Sequence, residues 1–214
     1  MKKIRITLGC VAAMSAFALL AQNSSTPERR TNVTLPQSAP GMPAAPAKSS
    51  ACMTPEEVRL VDAINNYRRS KGLPAVQPGV SLTRVAQLHA ADLTQNQPAR
   101  GACNMHSWSS NGNWTPCCYT SDHRQAACMW KKPAELTSYK SNGFEISAGS
   151  SGGRIDAATA LRVWQGSSGH NAVIINAGMW RQPWGTFGVG IYGGYAVAWF
   201  GQQADSAGAA IPCK

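Results

Sequence analysis

Six cysteines after residue 50 constrain the fold of this chain more than any other feature of its sequence. They are Cys52, Cys103, Cys117, Cys118, Cys128 and Cys213. An even number of cysteines behind an export signal predicts up to three disulfides, formed in an oxidising compartment. The sequence does not choose among the many possible pairings. We expect the first and the last to tie the ends of the domain together and the other four to form a local cluster. The two adjacent cysteines are not expected to bond to each other, because such a bridge is strained.

Residues 1–21 have the pattern of a secretory signal peptide. A short basic start, MKKIRI, precedes the apolar stretch LGCVAAMSAFALLA, and small residues suited to cleavage follow. The stretch is too short for a membrane span. Cleavage would remove Cys10 and three basic residues, which takes the formal net charge from +10 to +7. We therefore predict a secreted or periplasmic protein without a transmembrane segment. Its basic residues are scattered, as on an ordinary solvated surface, and no nucleic-acid partner is indicated.

The rest of the chain divides into a linker and one domain. Residues 22–51 are rich in Pro, Ser and Ala and lack large apolar side chains, so we predict a disordered linker there. Residues 52–214 then form the folded domain. Its first part, TPEEVRLVDAINNYRRS, predicts an amphipathic helix capped by Thr54.

Two more helices and a hairpin follow, which indicates an α+β domain. SLTRVAQLHAADL predicts a helix whose apolar face includes His89, interpreted as a hydrogen-bonded core residue rather than a ligand. A third helix is expected after Asp156, and GTFGVGIYGGYAVAWFG predicts a β-hairpin. Residues 94–150 are expected to be loop-rich and to hold the cysteine cluster.

Three side chains form a candidate site. His106 in MHSW and His170 in SSGHNA lie in polar loop contexts, where functional residues are common. Glu145 lies between Phe144 and Ile146, and burying a carboxylate is costly unless it is paired or bound to a metal. Two neutral imidazoles and a carboxylate can hold a divalent metal such as zinc and leave a position open for water. The alternative is that all three side chains make only local ion pairs or hydrogen bonds.

The order of these motifs resembles the secreted CAP superfamily, the SCP-like group of cysteine-rich secretory, antigen 5 and pathogenesis-related proteins. The resemblance covers roughly residues 54–201, from INNYRRSKGLP and VAQLHAADL through the HSW loop and the Gly-Phe-Glu segment to the hairpin. Its sharpest part is SSGHNAVI, which is similar to the bacterial pattern SPGHRANI. The resemblance implies an α-β-α sandwich with a central antiparallel sheet and a cleft lined by His and Glu.

The resemblance also implies which residues line that cleft. His106 matches the histidine of the first cleft loop, Glu145 the glutamate of a Gly-Glu-Asn-Ile segment, and His170 the histidine of a bacterial Gly-His-Arg motif. These three residues are therefore the expected ligands of a divalent metal.

The chain departs from the family pattern at four points. Phe144 lies between the glycine and the glutamate, and Ile146 replaces the asparagine. Ser167 stands where eukaryotic members have a second glutamate, and no histidine follows His170. A complete tetrad of two histidines and two glutamates is therefore not available, and a water or Ser167 is the expected fourth partner of the triad.

Three classes of function compete at this point. The family resemblance favours a secreted, non-enzymatic binding module for a lipid, a cell-wall component or another protein. A hydrolase would use a metal-bound water with Glu145 as general base, or Ser107 or Ser167 with a histidine and Glu145. A basic adhesive protein would act through tryptophans outside the helices and strands, namely Trp108, Trp114, Trp130, Trp180 and Trp184. Such tryptophans more commonly form small cores in disulfide-rich loops.

Overall fold

The computed structural model describes residues 51–214. The predicted signal peptide, residues 1–21, and all but the last residue of the predicted linker, residues 22–51, lie outside this range. Ala51, that last residue, is buried against the domain. Within the described range, no helix has the length and apolar character needed to cross a membrane.

Helices and strands follow one another in a mixed order. They are α1 (Pro55–Ser70), α2 (Val80–Asn96), α3 (Ala126–Trp130), α4 (Lys132–Leu136), β1 (Gly143–Gly149), α5 (Ala157–Gly166), α6 (Ser168–Ile174), a 3-10 turn (Gly178–Trp180), β2 (Thr186–Tyr192) and β3 (Tyr195–Gly201). The predicted helix caps are confirmed: the Thr54 hydroxyl and the Glu57 carboxylate form a reciprocal capping box on α1, and Asp156 caps α5.

The three strands form one antiparallel sheet in the order β1-β3-β2. The predicted hairpin is confirmed, and it pairs β2 with β3 across the turn at Gly193 and Gly194. Gly193 has a φ of 55°, a conformation that favours glycine. Strand β1 pairs with the free side of β3, so Glu145 lies opposite Trp199.

Helices cover both faces of this sheet and give the expected α-β-α sandwich. Side chains of β1 to β3 on one face pack with α1, α5 and α6 in the larger core cluster. The other face packs with α2 in a second cluster that includes Trp108 and Trp199. At Gly188 and Gly190, a Cβ atom would overlap the backbone of α2, so these glycines let the helix lie directly on the strand.

The segment predicted to be loop-rich contains more regular structure than its sequence suggested. It holds the two five-residue helices α3 and α4 and the strand β1. The strand alternates apolar Phe144, Ile146 and Ala148 with polar Glu145 and Ser147, as a strand should. Five of its seven residues are buried, both polar ones included, so its polar face also packs inside the domain. The Ser, Asn and Gly residues around it favour a loop and obscure this short pattern.

All six cysteines of the described chain form disulfides. Cys52–Cys213 joins the two ends of the domain, as expected. The local cluster resolves into Cys103–Cys118 and Cys117–Cys128, so the adjacent cysteines bond to different partners. These bridges confirm a disulfide-stapled fold and fit a protein that folds in an oxidising compartment.

Candidate functional site

A disulfide-stapled loop positions His106. The loop pairs with itself through two backbone hydrogen bonds between Trp108 and Cys117, of 2.8 and 3.0 Å. The Asn104 side chain accepts a hydrogen bond of 2.9 Å from the backbone N–H of His106 and so fixes the start of the turn. The His106 side chain is 19% exposed, which leaves part of its ring open to solvent. The loop thus acts as a scaffold for one partly exposed imidazole.

Strand β1 places the Glu145 carboxylate beneath that imidazole. The carboxylate is fully buried, and its Oε1 lies 2.9 Å from Nδ1 of His106. Its Oε2 lies 2.7 Å from Nδ1 of His89, which is also fully buried. Burial alone would raise the pKa of Glu145, but the charge of His89 and the hydrogen bonds from both histidines outweigh it and lower the pKa to about 2. Glu145 is therefore an ionised, internally paired carboxylate.

His89 belongs to this cluster, although sequence reasoning assigned it only to the core. Its burial and its hydrogen bonding are as predicted: Nε2 lies 3.0 Å from the Ser107 carbonyl oxygen. Its ring stacks on Trp108 with centroids 4.3 Å apart and 8° between the planes. The signal for its role was available in the sequence, since a buried histidine and a buried glutamate each need a polar partner.

Tyr119 and His123 extend the site on the other side of His106. The rings of Tyr119 and His106 lie 5.1 Å apart, and the Tyr119 hydroxyl lies 2.9 Å from Nδ1 of His123. Burial and the charge of Glu145 both raise the pKa of Tyr119. Neither residue was singled out from the sequence, because a Tyr-x-x-x-His spacing in an irregular loop carries no periodic signal.

His170 approaches the cluster from the short helix α6. Its ring is half-buried, and its Nδ1 has no hydrogen-bond partner within the part of the chain that the structure describes. Burial lowers the pKa of His170; the charge of His106 lowers it further, whereas Glu145 acts in the opposite direction. His170 is therefore neutral at neutral pH and keeps a lone pair for a ligand. A hydrogen bond of 2.9 Å from the Tyr67 hydroxyl to Asn171 attaches α6 to α1.

The two candidate serines do not present free hydroxyls to these histidines. Ser107 is buried, and its hydroxyl bonds to the backbone N–H and carbonyl of Tyr119. Ser167 is half-buried at the start of α6. Over residues 51–214, no hydrogen bond joins a serine hydroxyl to a histidine ring.

The predicted metal ligands His106, Glu145 and His170 do not form a metal-binding group in the described residues. Both oxygens of Glu145 already face ring nitrogens, so His106 and Glu145 direct their donor atoms at each other rather than at a common point. Within residues 51–214, no group of three or more His, Cys, Asp or Glu side chains is placed to hold a metal ion. A metal bound by His106, Glu145 and His170 stays a prediction, and none of the chemistry below depends on it.

Solved bacterial structures share parts of this fold at low identity. An extracellular protein with an SCP domain from Bacillus anthracis str. Ames is 19% identical over 68% of this chain, with a TM-score of 0.48. A cysteine-rich secretory protein from Staphylococcus aureus subsp. aureus Mu50 is 14% identical over 72%, with a TM-score of 0.43. This chain spans 39% and 40% of those two proteins. An outer surface protein from Borrelia burgdorferi is 16% identical over 70% of this chain and 94% of its own length, with a TM-score of 0.47.

The family of this chain is shown by a family model and not by these structures, whose identity to the chain is low. The comparison with curated proteins gave no match. The model of the cysteine-rich secretory protein family, CAP, matches residues 61–181, which is more than half of the 214 residues. The matched range contains α2, the stapled loop, Glu145 and α6. The chain therefore belongs to the CAP family.

Proposed function

We propose that this CAP domain is an extracellular, non-enzymatic binding module that holds its ligand in the cleft between His106 and His170. The three disulfides support a location outside the cytoplasm, because such bridges persist in oxidising compartments. Family membership by itself does not identify an activity. The argument for binding rests on the side chains of the cleft.

The observation that carries this proposal is the internal pairing of Glu145. A general base needs a pKa near the working pH and a proton within reach. Glu145 is buried, faces two imidazoles and has a pKa of about 2, so it is a poor base near neutral pH. The nearby Ser107 hydroxyl is buried and bonded to backbone. These groups hold His106 in place and do not form a nucleophile with its base.

The cleft favours a polar ligand over an apolar one. His106 uses Nδ1 on Glu145 and has its partly exposed ring available for another contact, and His170 contributes a neutral imidazole. The tryptophans, in contrast, are buried or half-buried throughout the described residues, as expected for small cores. A cell-wall component with hydroxyl, amide or carboxylate groups therefore suits the site better than a lipid chain, and an adhesive role for tryptophans loses its support.

Co-sedimentation with purified peptidoglycan tests this function. We expect saturable binding by the exported chain and a loss of at least tenfold in affinity for His106→Ala and for His170→Ala. Arg59→Ala is the matched control, since it removes an exposed cation on α1. Binding that is equal in both histidine variants and the control would rule out the cleft as the binding site. Vesicles of phosphatidylglycerol, tested in parallel, distinguish a lipid ligand from a wall ligand.

One observation favours the alternative, a hydrolase. The 2.9 Å contact between Glu145 and Nδ1 of His106 is the arrangement by which a carboxylate orients a catalytic histidine. A hydrolase predicts turnover of ester, peptide or wall substrates that disappears in both His106→Ala and Glu145→Ala. Such turnover would replace the binding proposal.

A further inference from the structure

Three aromatic side chains form a continuous row at one edge of the sheet. The Phe144 ring lies between two indoles, with its centroid 5.7 Å from that of Trp130 and 5.0 Å from that of Trp180. All three residues are half-buried, and we call them the aromatic row. The buried Trp184 supports the row from the core side, with its ring 5.8 Å from Phe144 and 5.9 Å from Trp180. Rings anchored in this way do not extend into a membrane, but they form a fixed, partly open surface for a flat ligand.

The two walls of the cleft supply the two indoles of the aromatic row. A disulfide joins the loop of His106 to α3, and α3 ends at Trp130. On the other wall, α6 carries His170, and the 3-10 turn that packs against α6 ends at Trp180. Each wall therefore contributes one histidine to the cleft and one indole to the row.

Strand β1 lies between these walls and supplies the central ring. Within residues 51–214 it pairs only with β3, so its second edge has no neighbouring strand. Phe144 and Glu145 are successive residues of β1, about 3.3 Å apart along the strand, and their side chains point to opposite faces. The row and the carboxylate that orients His106 therefore meet at one edge of the sheet. The aromatic row is an extension of the cleft and not a separate patch.

Exposed cations stand next to both indoles. Lys131 follows Trp130 in the sequence and Arg181 follows Trp180, and both cations are exposed. In the part of the chain that the structure describes, neither forms an ion pair. Aromatic rings between two such charges favour a ligand that combines flat rings with negative charge. A hexose ring with a carboxylate has both features, since one face of the ring carries mainly C–H groups that pack on an aromatic ring.

We propose that the aromatic row binds the sugar rings of an acidic glycan, and that Lys131 and Arg181 bind its carboxylates. The inference rests on the binding function proposed above and names the class of its ligand. Stacking on the row recognises sugar rings, and the two cations select glycans that carry negative charge. A neutral glycan would keep only the first contact, and an acidic peptide only the second.

Calorimetric titration with three soluble hexamers separates these two contacts. A hyaluronan hexasaccharide has sugar rings and carboxylates, chitohexaose has sugar rings without charge, and hexaglutamate has carboxylates without rings. We expect hyaluronan to bind most tightly, chitohexaose about tenfold more weakly and hexaglutamate not at all. Raising the salt to about 0.5 M should remove the advantage of hyaluronan over chitohexaose, because it screens the two cations. Hexaglutamate that binds as tightly as hyaluronan, or two sugars that do not bind, would overturn the proposal.

Substitutions at the row test its location. Trp180→Ala should weaken binding of both sugars about tenfold, whereas Trp180→Phe should keep most of the affinity because it retains an aromatic ring. Arg181→Gln should lower the affinity for hyaluronan toward that for chitohexaose, and since Arg181 is exposed, this variant decides the matter even if Trp180→Ala does not fold. Arg59→Gln removes an exposed cation on α1 and is the matched control. Equal hyaluronan affinities in Arg181→Gln and Arg59→Gln would refute the site.

Peptidoglycan binding distinguishes a failure of this proposal from a failure of the proposed function. Peptidoglycan binding that depends on His106 and His170, without binding of either hexasaccharide, would leave the binding module intact and refute the glycan site. Hexasaccharide binding that depends on Trp180, in a chain that does not bind peptidoglycan, would support the glycan site and refute the wall ligand.

Discussion

The stabilisation that Glu145 gains from its two histidines sets a specific dependence of stability on pH. The pKa of Glu145 falls from 4.5 to about 2 on folding, and one pKa unit corresponds to about 1.4 kcal/mol, so the effect is roughly 3 kcal/mol. The folded pKa is the lower one, so the contribution is complete above pH 4.5 and is lost as the pH falls toward 2. The carboxylate is fully buried, so solvent screening does not reduce this value.

A comparison with the double variant His89→Gln/Glu145→Gln isolates that contribution. The double variant removes both members of the buried pair, so neither side chain is left facing a missing partner. We expect urea unfolding to show a stability gap between wild type and double variant that shrinks by roughly 3 kcal/mol between pH 5 and pH 2. Other carboxylates titrate equally in both proteins and cancel. Gln202→Ala, an exposed change that adds or removes no titrating group, should keep a constant gap.

Parallel stability curves would refute this reasoning. A gap of the same size at pH 5 and pH 2 would mean that Glu145 has nearly the same pKa in the folded and unfolded chain. The buried pair would then stabilise the fold by shape and hydrogen bonding alone.

Three further predictions, made with five substitutions, concern the packing and the covalent links, and each is measured by urea unfolding. Gly188→Ala should lower the free energy of unfolding by about 2–3 kcal/mol, because the new methyl group overlaps α2. Gly169→Ala in α6 is its control: the position has open space around it, so the change should be neutral or slightly stabilising. Arg68→Ala should cost about 3 kcal/mol, since the buried guanidinium donates to two backbone carbonyls and one side chain; a loss under about 1 kcal/mol would contradict its anchoring role. Removing the bridge with Cys52→Ser should cost about 5 kcal/mol and Cys117→Ser about 3 kcal/mol, because the chain-entropy effect grows with the separations of 161 and 11 residues. The reverse order would contradict that model.

Local rules were sufficient to predict the long helices and the hairpin. The capping box on α1, the aspartate cap on α5 and the glycine turn of the hairpin each arise from a few neighbouring residues. The family resemblance then supplied the layer arrangement and the places of His106, Glu145 and His170. The helices α3 and α4 were missed, because five residues are too few to show a helical period. Strand β1 was missed although its residues alternate, because Ser, Asn and Gly residues surround it.

The candidate site was predicted only in part, because the partner of a buried side chain depends on how distant elements pack together. Sequence reasoning brought His106 and Glu145 together, and the structure places them 2.9 Å apart. It left His89 in the core, because the apolar face of α2 gives the direction of a side chain but not the identity of its partner. Whether a buried histidine meets a carbonyl or a carboxylate depends on how the helix docks on the sheet. That docking is set by Gly188 and Gly190, about a hundred residues away in sequence.

The bridge between Cys52 and Cys213 has a mechanical consequence. Beside it, the backbone of Met53 pairs with that of Pro212, so the two ends of the domain leave from one point. Tension applied to the chain at Cys52 and at Cys213 passes across the sulfur–sulfur bond and bypasses the sheet and the helices. A domain held in this way keeps its cleft intact while its chain ends are pulled, as happens to a protein attached at one end to a surface and at the other to a partner.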